Sequence, residues 1–159
     1  MNMKVIKISV SRMSVLRRVA MTTAYIAVKN EEDGNLCDRL PVVPADSELM
    51  EELWSDACAA ADNVLRAYLQ PRPSALPSIC TEEDCYHATL VVRRCSLAAR
   101  VPVAAAVRAF LAADLLRRWM EIALPTKAAD CRRDAEEAAE QLRRSVAAVP
   151  HRVRKYVPF

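Results

Sequence analysis

Glycine occurs once in this chain of 159 residues, at Gly34. Glycine alone enters positive φ, or lets a ligand approach the backbone closely, without steric cost. A chain with a single glycine therefore lacks the means to build a phosphate-cradling Walker loop or a dinucleotide-binding fingerprint. What remains within reach is regular structure punctuated by proline, of which there are nine.

The periodicity along the chain is mostly helical. Residues 3–10, MKVIKISV, read as a short strand, with Met3, Val5, Ile8 and Val10 imperfectly offset around Lys4 and Lys7. Ser11 stands as N-cap before a helix over 12–27, whose stripe is Val15, Leu16, Val19, Ala20, Thr23, Ala24 and Ala27. A polar stretch over 28–45 follows; it is longer than compact connections usually are, which makes it functional, mobile or pinned by a partner. Asp46 and Ser47 open a second helix carrying Leu49, Leu53, Trp54, Ala57, Cys58, Ala61, Val64, Leu65 and Tyr68, which ends before the proline run QPRPSALP.

Residues 85–95, CYHATLVVRRC, alternate as a strand that pairs most economically with residues 3–10. Such a ribbon needs helices or another chain against it. Pro102 suits the first turn of a third helix with the stripe Val103, Val107, Phe110, Leu111, Leu115, Trp119 and Ile122, which Pro125 ends. A fourth helix over 127–147 sets Ala128, Cys131, Ala135, Ala138, Leu142 and Val146 against a charged face. The expected fold is mainly α: one domain over 1–159, four helices with a small two-stranded antiparallel ribbon, a core centred on Trp54, Leu65, Phe110, Leu115 and Trp119, and a basic tail over 150–159. Aromatic residues reach 5% of a composition that is 53% hydrophobic, so small-residue helix packing is expected.

Charge is segregated although its sum is +3. Residues 1–30 carry Lys4, Lys7, Arg12, Arg17, Arg18 and Lys29 with no acid, whereas residues 31–56 carry nine acids, among them Asp46, Glu48, Glu51, Glu52 and Asp56, against Arg39 alone. The tail is basic again through His151, Arg152, Arg154 and Lys155. Two arrangements satisfy this pattern: pairing within one monomer, or pairing across neighbouring subunits of a ring, where complementary charge sets the register. The acids of the second helix also suit its N-terminal dipole without further purpose.

No constellation marks a catalyst. His87 and His151 have no serine or cysteine motif tied to them. The six cysteines follow no secretory leader, because lysines interrupt every apolar run at the start, and reduced cytoplasmic thiols are expected. Cys58 and Cys131 fall on apolar helix faces as small hydrophobes. Cys80, Cys85, His87 and Cys95 have ligand chemistry, but the spacing C-x4-C-x-H-x7-C lacks the tight knuckle that turns two sulfurs onto one zinc. Arg93, Arg94 and Arg100 near a strand end, and Arg117 and Arg118 beside Trp119, keep a small helical DNA-binding regulator open as an alternative; no basic face clear of acids marks a helix-turn-helix reader.

The order of elements carries a resemblance. It comprises a helix beginning D-x-x-L-x-x-x-L (Asp46, Leu49, Leu53) that runs through Ala57 to Ala61 toward Tyr68 and Leu69, a proline-rich loop, a long helix ending in Trp119, and the final charged helix DCRRDAEEAAEQLRRSV. Over residues 46–146 this resembles the head-to-tail connector, or adaptor, proteins of tailed phages and prophages, the Mu-like group included. It is also similar to phage-derived proteins of gut Bacteroidetes in which a strand like HATLVVRR precedes a helix like AAAVRAFLAADLLRRWMEIA. The N-terminal strand, the basic helix and the long loop are additions to the simplest adaptors, and another neck or tail-completion protein stays open.

The resemblance implies a non-enzymatic virion protein. It would form a ring of its own copies between portal and tail, made in the cytoplasm of the bacterial host and then held in the virion neck. Partners would be the portal or tail-completion proteins, with non-specific contact to packaged DNA compatible with that place. No cofactor, metal, membrane or small-molecule substrate is implied. Candidate subunit-contact residues are Arg12, Arg17, Arg18, Glu48, Glu51, Glu52, Arg152, Arg154 and Lys155.

The cysteine spacing yields a first test. Folding should be indifferent to chelators, and elemental analysis that found one zinc per chain, lost on replacing Cys80 or Cys85, would contradict this reading.

Overall fold

β1 (Met3–Ser11) pairs antiparallel with β2 (Cys85–Arg93), with Met3 opposite Arg93 and Ser11 opposite Cys85. The computed structural model describes residues 3–30, 40–42, 46–70, 84–93 and 99–147. Because side chains alternate along a strand, this register puts Ile6, Ile8 and Val10 on the same face as Leu90, Ala88 and Tyr86, and all six are buried. The expected alternation in β1 was one residue out at its start. Val5 is 52% exposed and Ile6 takes the inward place, because Ile8 and Val10 set the phase and a strand holds one phase. The outer edge of β2 is covered: Val91 N–H donates to the Tyr68 carbonyl (2.7 Å) and Gln70 N–H to the Thr89 carbonyl (2.9 Å).

α1 (Arg12–Lys29) follows β1 without a break. Ser11 occupies the N-cap position with extended backbone, but its side chain makes no capping hydrogen bond; instead the Ser14 hydroxyl donates to the Ser11 carbonyl at 2.7 Å. α2 (Ser47–Leu65) buries Met50, Leu53, Trp54, Ala57, Ala61 and Leu65. The Tyr86 hydroxyl donates to Asp62 Oδ1 at 2.7 Å, which ties the ribbon to the outer turns of α2.

α3 (Arg100–Ala123) occupies the centre, in contact with α1, α2, β1 and the final helix. Its buried positions include Val103, Val107, Phe110, Leu111, Leu115, Trp119 and Met120, a set too wide for one stripe and suited to a helix packed on several sides. Ile122 departs from the expected stripe at 55% exposure, since the helix ends one residue later and among the described residues no element covers its last turn on that side. A 3-10 turn (Pro125–Lys127) leads into α4 (Ala128–Ala147), whose buried positions Ala128, Cys131, Ala135, Leu142 and Val146 lie against α3. α1 and α4 run as expected within two residues, and α3 begins two residues before Pro102, which stands in its first turn. All five residues expected to centre the core are buried.

The connection after α1 is tied down within the chain. Leu40 is 1% exposed, packs with Ala27, Met120 and Cys131, and its carbonyl accepts from Trp119 Nε1 at 2.8 Å. A buried indole needs such an acceptor. The rest of 31–39, residues 43–45 and the tail over 150–159 lie outside the described residues.

Phe110 stands where α3 meets the rest of the core, so Phe110→Ala should lower stability by about 3–5 kcal/mol in urea denaturation. A loss below about 0.5 kcal/mol, the range of surface substitutions, would show that this face of α3 is misassigned.

Candidate functional site

Among the described residues, charged groups of three helices meet around the buried carboxylate of Asp114 in the middle of α3, 5% exposed. A carboxylate this far from water needs neutralising partners. Asp114 Oδ1 accepts from Arg117 Nε (3.1 Å) and Nη2 (2.9 Å), and Oδ2 accepts from Arg118 Nε (2.7 Å). Helical geometry places residues three and four ahead on the same face, so both guanidiniums reach back to it.

Each arginine then reaches outward. Arg118 Nη1 donates to Asp56 of α2 at 3.0 Å, and Arg117 Nη1 donates to Glu121 at 3.0 Å, which also accepts from Arg132 of α4 at 2.9 Å. Three carboxylates and three guanidiniums thus balance across three helices. Burial works against the charge on Arg117, yet the hydrogen bond and charge of Asp114, with those of Glu121, outweigh it and raise its pKa. The hydrogen bond from Arg132 comes first in holding the Glu121 carboxyl below its usual range, with Arg117 adding to it against desolvation. Arginines do not give up their protons at ordinary pH, and these carboxylates are occupied by them. The arrangement suits a helix clamp better than proton transfer.

A second clamp joins the N-terminal half. The Arg12 guanidinium meets Asp84 at 3.1 Å and Glu51 at 3.3 Å, while Arg12 N–H donates to the Asp84 carbonyl at 2.7 Å. Of the nine expected contact residues, Arg12 and Glu51 are therefore brought together, with each other and within one chain. Arg17, Arg18, Glu48 and Glu52 are exposed, and among the described residues none of them enters an ion pair. Arg152, Arg154 and Lys155 lie outside the described residues.

Two of the three described thiols, Cys58 and Cys131, pack with the core clusters. Cys131 is buried, and burial first, then the charges of Asp134 and Asp130, push its pKa up. Cys58 packs half-buried against the core. Cys85 and His87 fall at alternate positions on the outer face of β2, and Cys80 and Cys95 lie outside the described residues. Among the described residues no group of three or more potential ligands could hold a metal ion. No described helix is long and apolar enough to cross a membrane. A shallow depression along α4 is lined by Arg133, Glu136, Glu137, Glu140 and Arg144, charges of both signs from a single helix.

Among the described residues, the outer face of α1 is an exposed surface with no element packed on it. Met13 (58% exposed), Met21 (68%), Tyr25 (65%) and Val28 (60%) all lie opposite the buried stripe Val15, Val19, Thr23 and Ala27. At 100° per residue they fall within about a third of the helix circumference. Arg17, Arg18 and Lys29 stand on the same side, and Lys29 Nζ lies 5.8 Å from the centre of the Tyr25 ring. Apolar side chains gathered on one exposed helix face, with cations among them, have the composition of a contact surface.

The sequence reading passed over both features. Asp114 could have been found as a lone acid on an apolar stripe followed by arginines three and four residues on, whereas its links to Asp56 and Arg132 cross between helices and leave no local signal. The α1 face was available as the complement of the buried stripe. Comparison with known protein families, with curated proteins and with solved structures finds no match for this chain.

Removing the charge at the centre of the first clamp should be costly. Asp114→Asn leaves two arginines converging on a neutral acceptor and should cost roughly 3 kcal/mol, near the low end for breaking a buried pair because the guanidiniums keep some contact with water. Chemical denaturation measures it, and a change within about 0.5 kcal/mol would mean that the clamp holds nothing.

Proposed function

We propose that this protein is a non-enzymatic assembly component, and that the assembly is the neck of a tailed phage or prophage, where it serves as a head-to-tail connector subunit. The observation that carries this reading is the outer face of α1, where Met13, Met21, Tyr25 and Val28 remain exposed on a helix whose other face is fully used in the core. Exposed apolar side chains scattered singly need no explanation, but a set of four on one face does. The clustered ionisable groups of α3 are engaged with one another, which supports a structural role over a catalytic one. The choice of the phage neck among assemblies rests on the order of elements over residues 46–146, and the ring and the portal partner follow from that resemblance alone.

A DNA-binding regulator would use Arg17, Arg18 and Lys29 on the same face. Methionine, tyrosine and valine set among those cations favour a protein surface over a phosphate backbone, which asks for cations and polar groups.

Co-expression with portal and neck proteins of a tailed phage from the same host tests the reading. The chain should co-purify with the portal and sediment with assembled particles. Recovery as a species that ignores the portal and binds duplex DNA with steep salt dependence would replace this reading with the regulator.

A further inference from the structure

Among the described residues α2 presents a second surface with no element packed on it, and its pattern answers that of α1. Opposite its buried stripe, the exposed positions run Glu48, Glu52, Ser55, Ala59 and Asn63, acidic over the first two turns and small thereafter. Glu51 and Asp56 on its flanks are engaged by Arg12 and Arg118. Glu48 and Glu52 form no ion pair among the described residues. On α1 the order after Met13 in the first turn is Arg17 and Arg18, then Met21 and Tyr25, then Val28 and Lys29.

The two patterns match in direction as well as in sign. From Arg17 and Arg18 to Met21 and Tyr25 is one to two turns toward the C-terminus, and from Glu52 to Ser55 and Ala59 is one to two turns toward the C-terminus. Laid parallel, the arginines stand over the glutamates while the methionine and tyrosine settle on serine and alanine, whose short side chains leave room for them. Laid antiparallel, the apolar residues of α1 would run past the start of α2. Two α1 faces set against each other would bring Arg17, Arg18 and Lys29 of both copies to the contact with no acid on α1 to answer them, so the face is poorly suited to an isologous dimer.

We infer that the outer face of α1 docks, parallel, on the Glu48–Glu52–Ser55–Ala59 face of α2 in a second copy of this chain. The contact is heterologous: each copy offers α1 to one neighbour and α2 to the other, and repetition closes a ring or extends a filament. This inference rests on the assembly reading above and names the partner of the α1 face.

Charge exchange tests it on the full chain, with oligomer mass followed by native mass spectrometry and sedimentation across a concentration series. The wild-type chain should self-associate. The double variant R17E/R18E and the double variant E48R/E52R should each raise the concentration for half-assembly at least about tenfold, as expected for opposing like charges where a close pair had stood. Mixed in equal amounts, the two should co-assemble in alternation, because each variant repels its own copies while both junctions between unlike copies set opposite charges against each other. All four substitutions in one chain should restore extended association. Tyr25→Ser, which alters no charge, should weaken assembly in every background. Circular dichroism checks that each variant keeps its helices. Association unchanged by either double variant, no recovery in the fourfold variant, or a wild type that stays monomeric at high concentration overturns the inference. Failure here with retained portal binding leaves the neck reading standing, while a charge-exchanged oligomer that ignores the portal removes the neck reading and leaves this interface.

Discussion

A helix that touches every other helix and the sheet must be apolar on most of its circumference, and α3 is built under that constraint. Val103, Val107, Phe110, Leu111, Leu115 and Trp119 face the main core, while Met120 joins the smaller cluster with Ala27, Leu40 and Cys131. Each neighbouring element then needs an apolar face of its own but not an extensive one, which suits a composition rich in alanine and valine. α4 meets α3 through Ala128, Cys131, Ala135 and Leu142, small residues for the most part, so the two backbones can approach closely. The ribbon contributes one face and is stable because that face lies on helices, since two strands alone do not bury enough surface.

Burial on several sides also explains Asp114. A central helix has little solvent-facing surface on which to place charge, and a carboxylate there persists because Arg117 and Arg118 follow it at the spacing that folds them back over it. Those arginines reach Asp56 and Glu121, and through Glu121 the guanidinium of Arg132. A buried ion pair is weak support for stability taken alone, but it fixes which turns of α2, α3 and α4 lie side by side. Trp119 does the same for the connection after α1, since its indole N–H must find an acceptor and the Leu40 carbonyl is the one it finds.

Among the described residues of α1, α2 and α3, charge therefore falls into two groups. One is used internally, where Arg12 joins Glu51 and Asp84 and the α3 arginines join their carboxylates. The other stands outward on α1 and on the start of α2, with opposite signs and with apolar or small residues beside it. The two arrangements compatible with the charge segregation in the sequence are thus not exclusive. Arg12 and Glu51 realise pairing within the chain, and Arg17, Arg18, Glu48 and Glu52 remain available for pairing between chains.

Periodicity alone determined the helices, the ribbon and most core positions, because burial of one face imposes a repeat of 3.6 or 2 that any sequence of this kind displays. Trp54, Leu65, Phe110, Leu115 and Trp119 were legible for that reason, and so was the pairing of residues 3–10 with the later strand. Misplaced details lay at element ends, where the repeat has too few members to set a phase: Val5 and Ile6 at the start of β1, and Ile122 in the last turn of α3. Tertiary structure alone decided which charges meet across elements. Asp56 and Arg118 are 62 residues apart, and Arg12 and Glu51 are 39 apart. No local pattern encodes such pairs, because their distance depends on how whole helices pack. The same packing chose which face of α1 is left outward among the described residues.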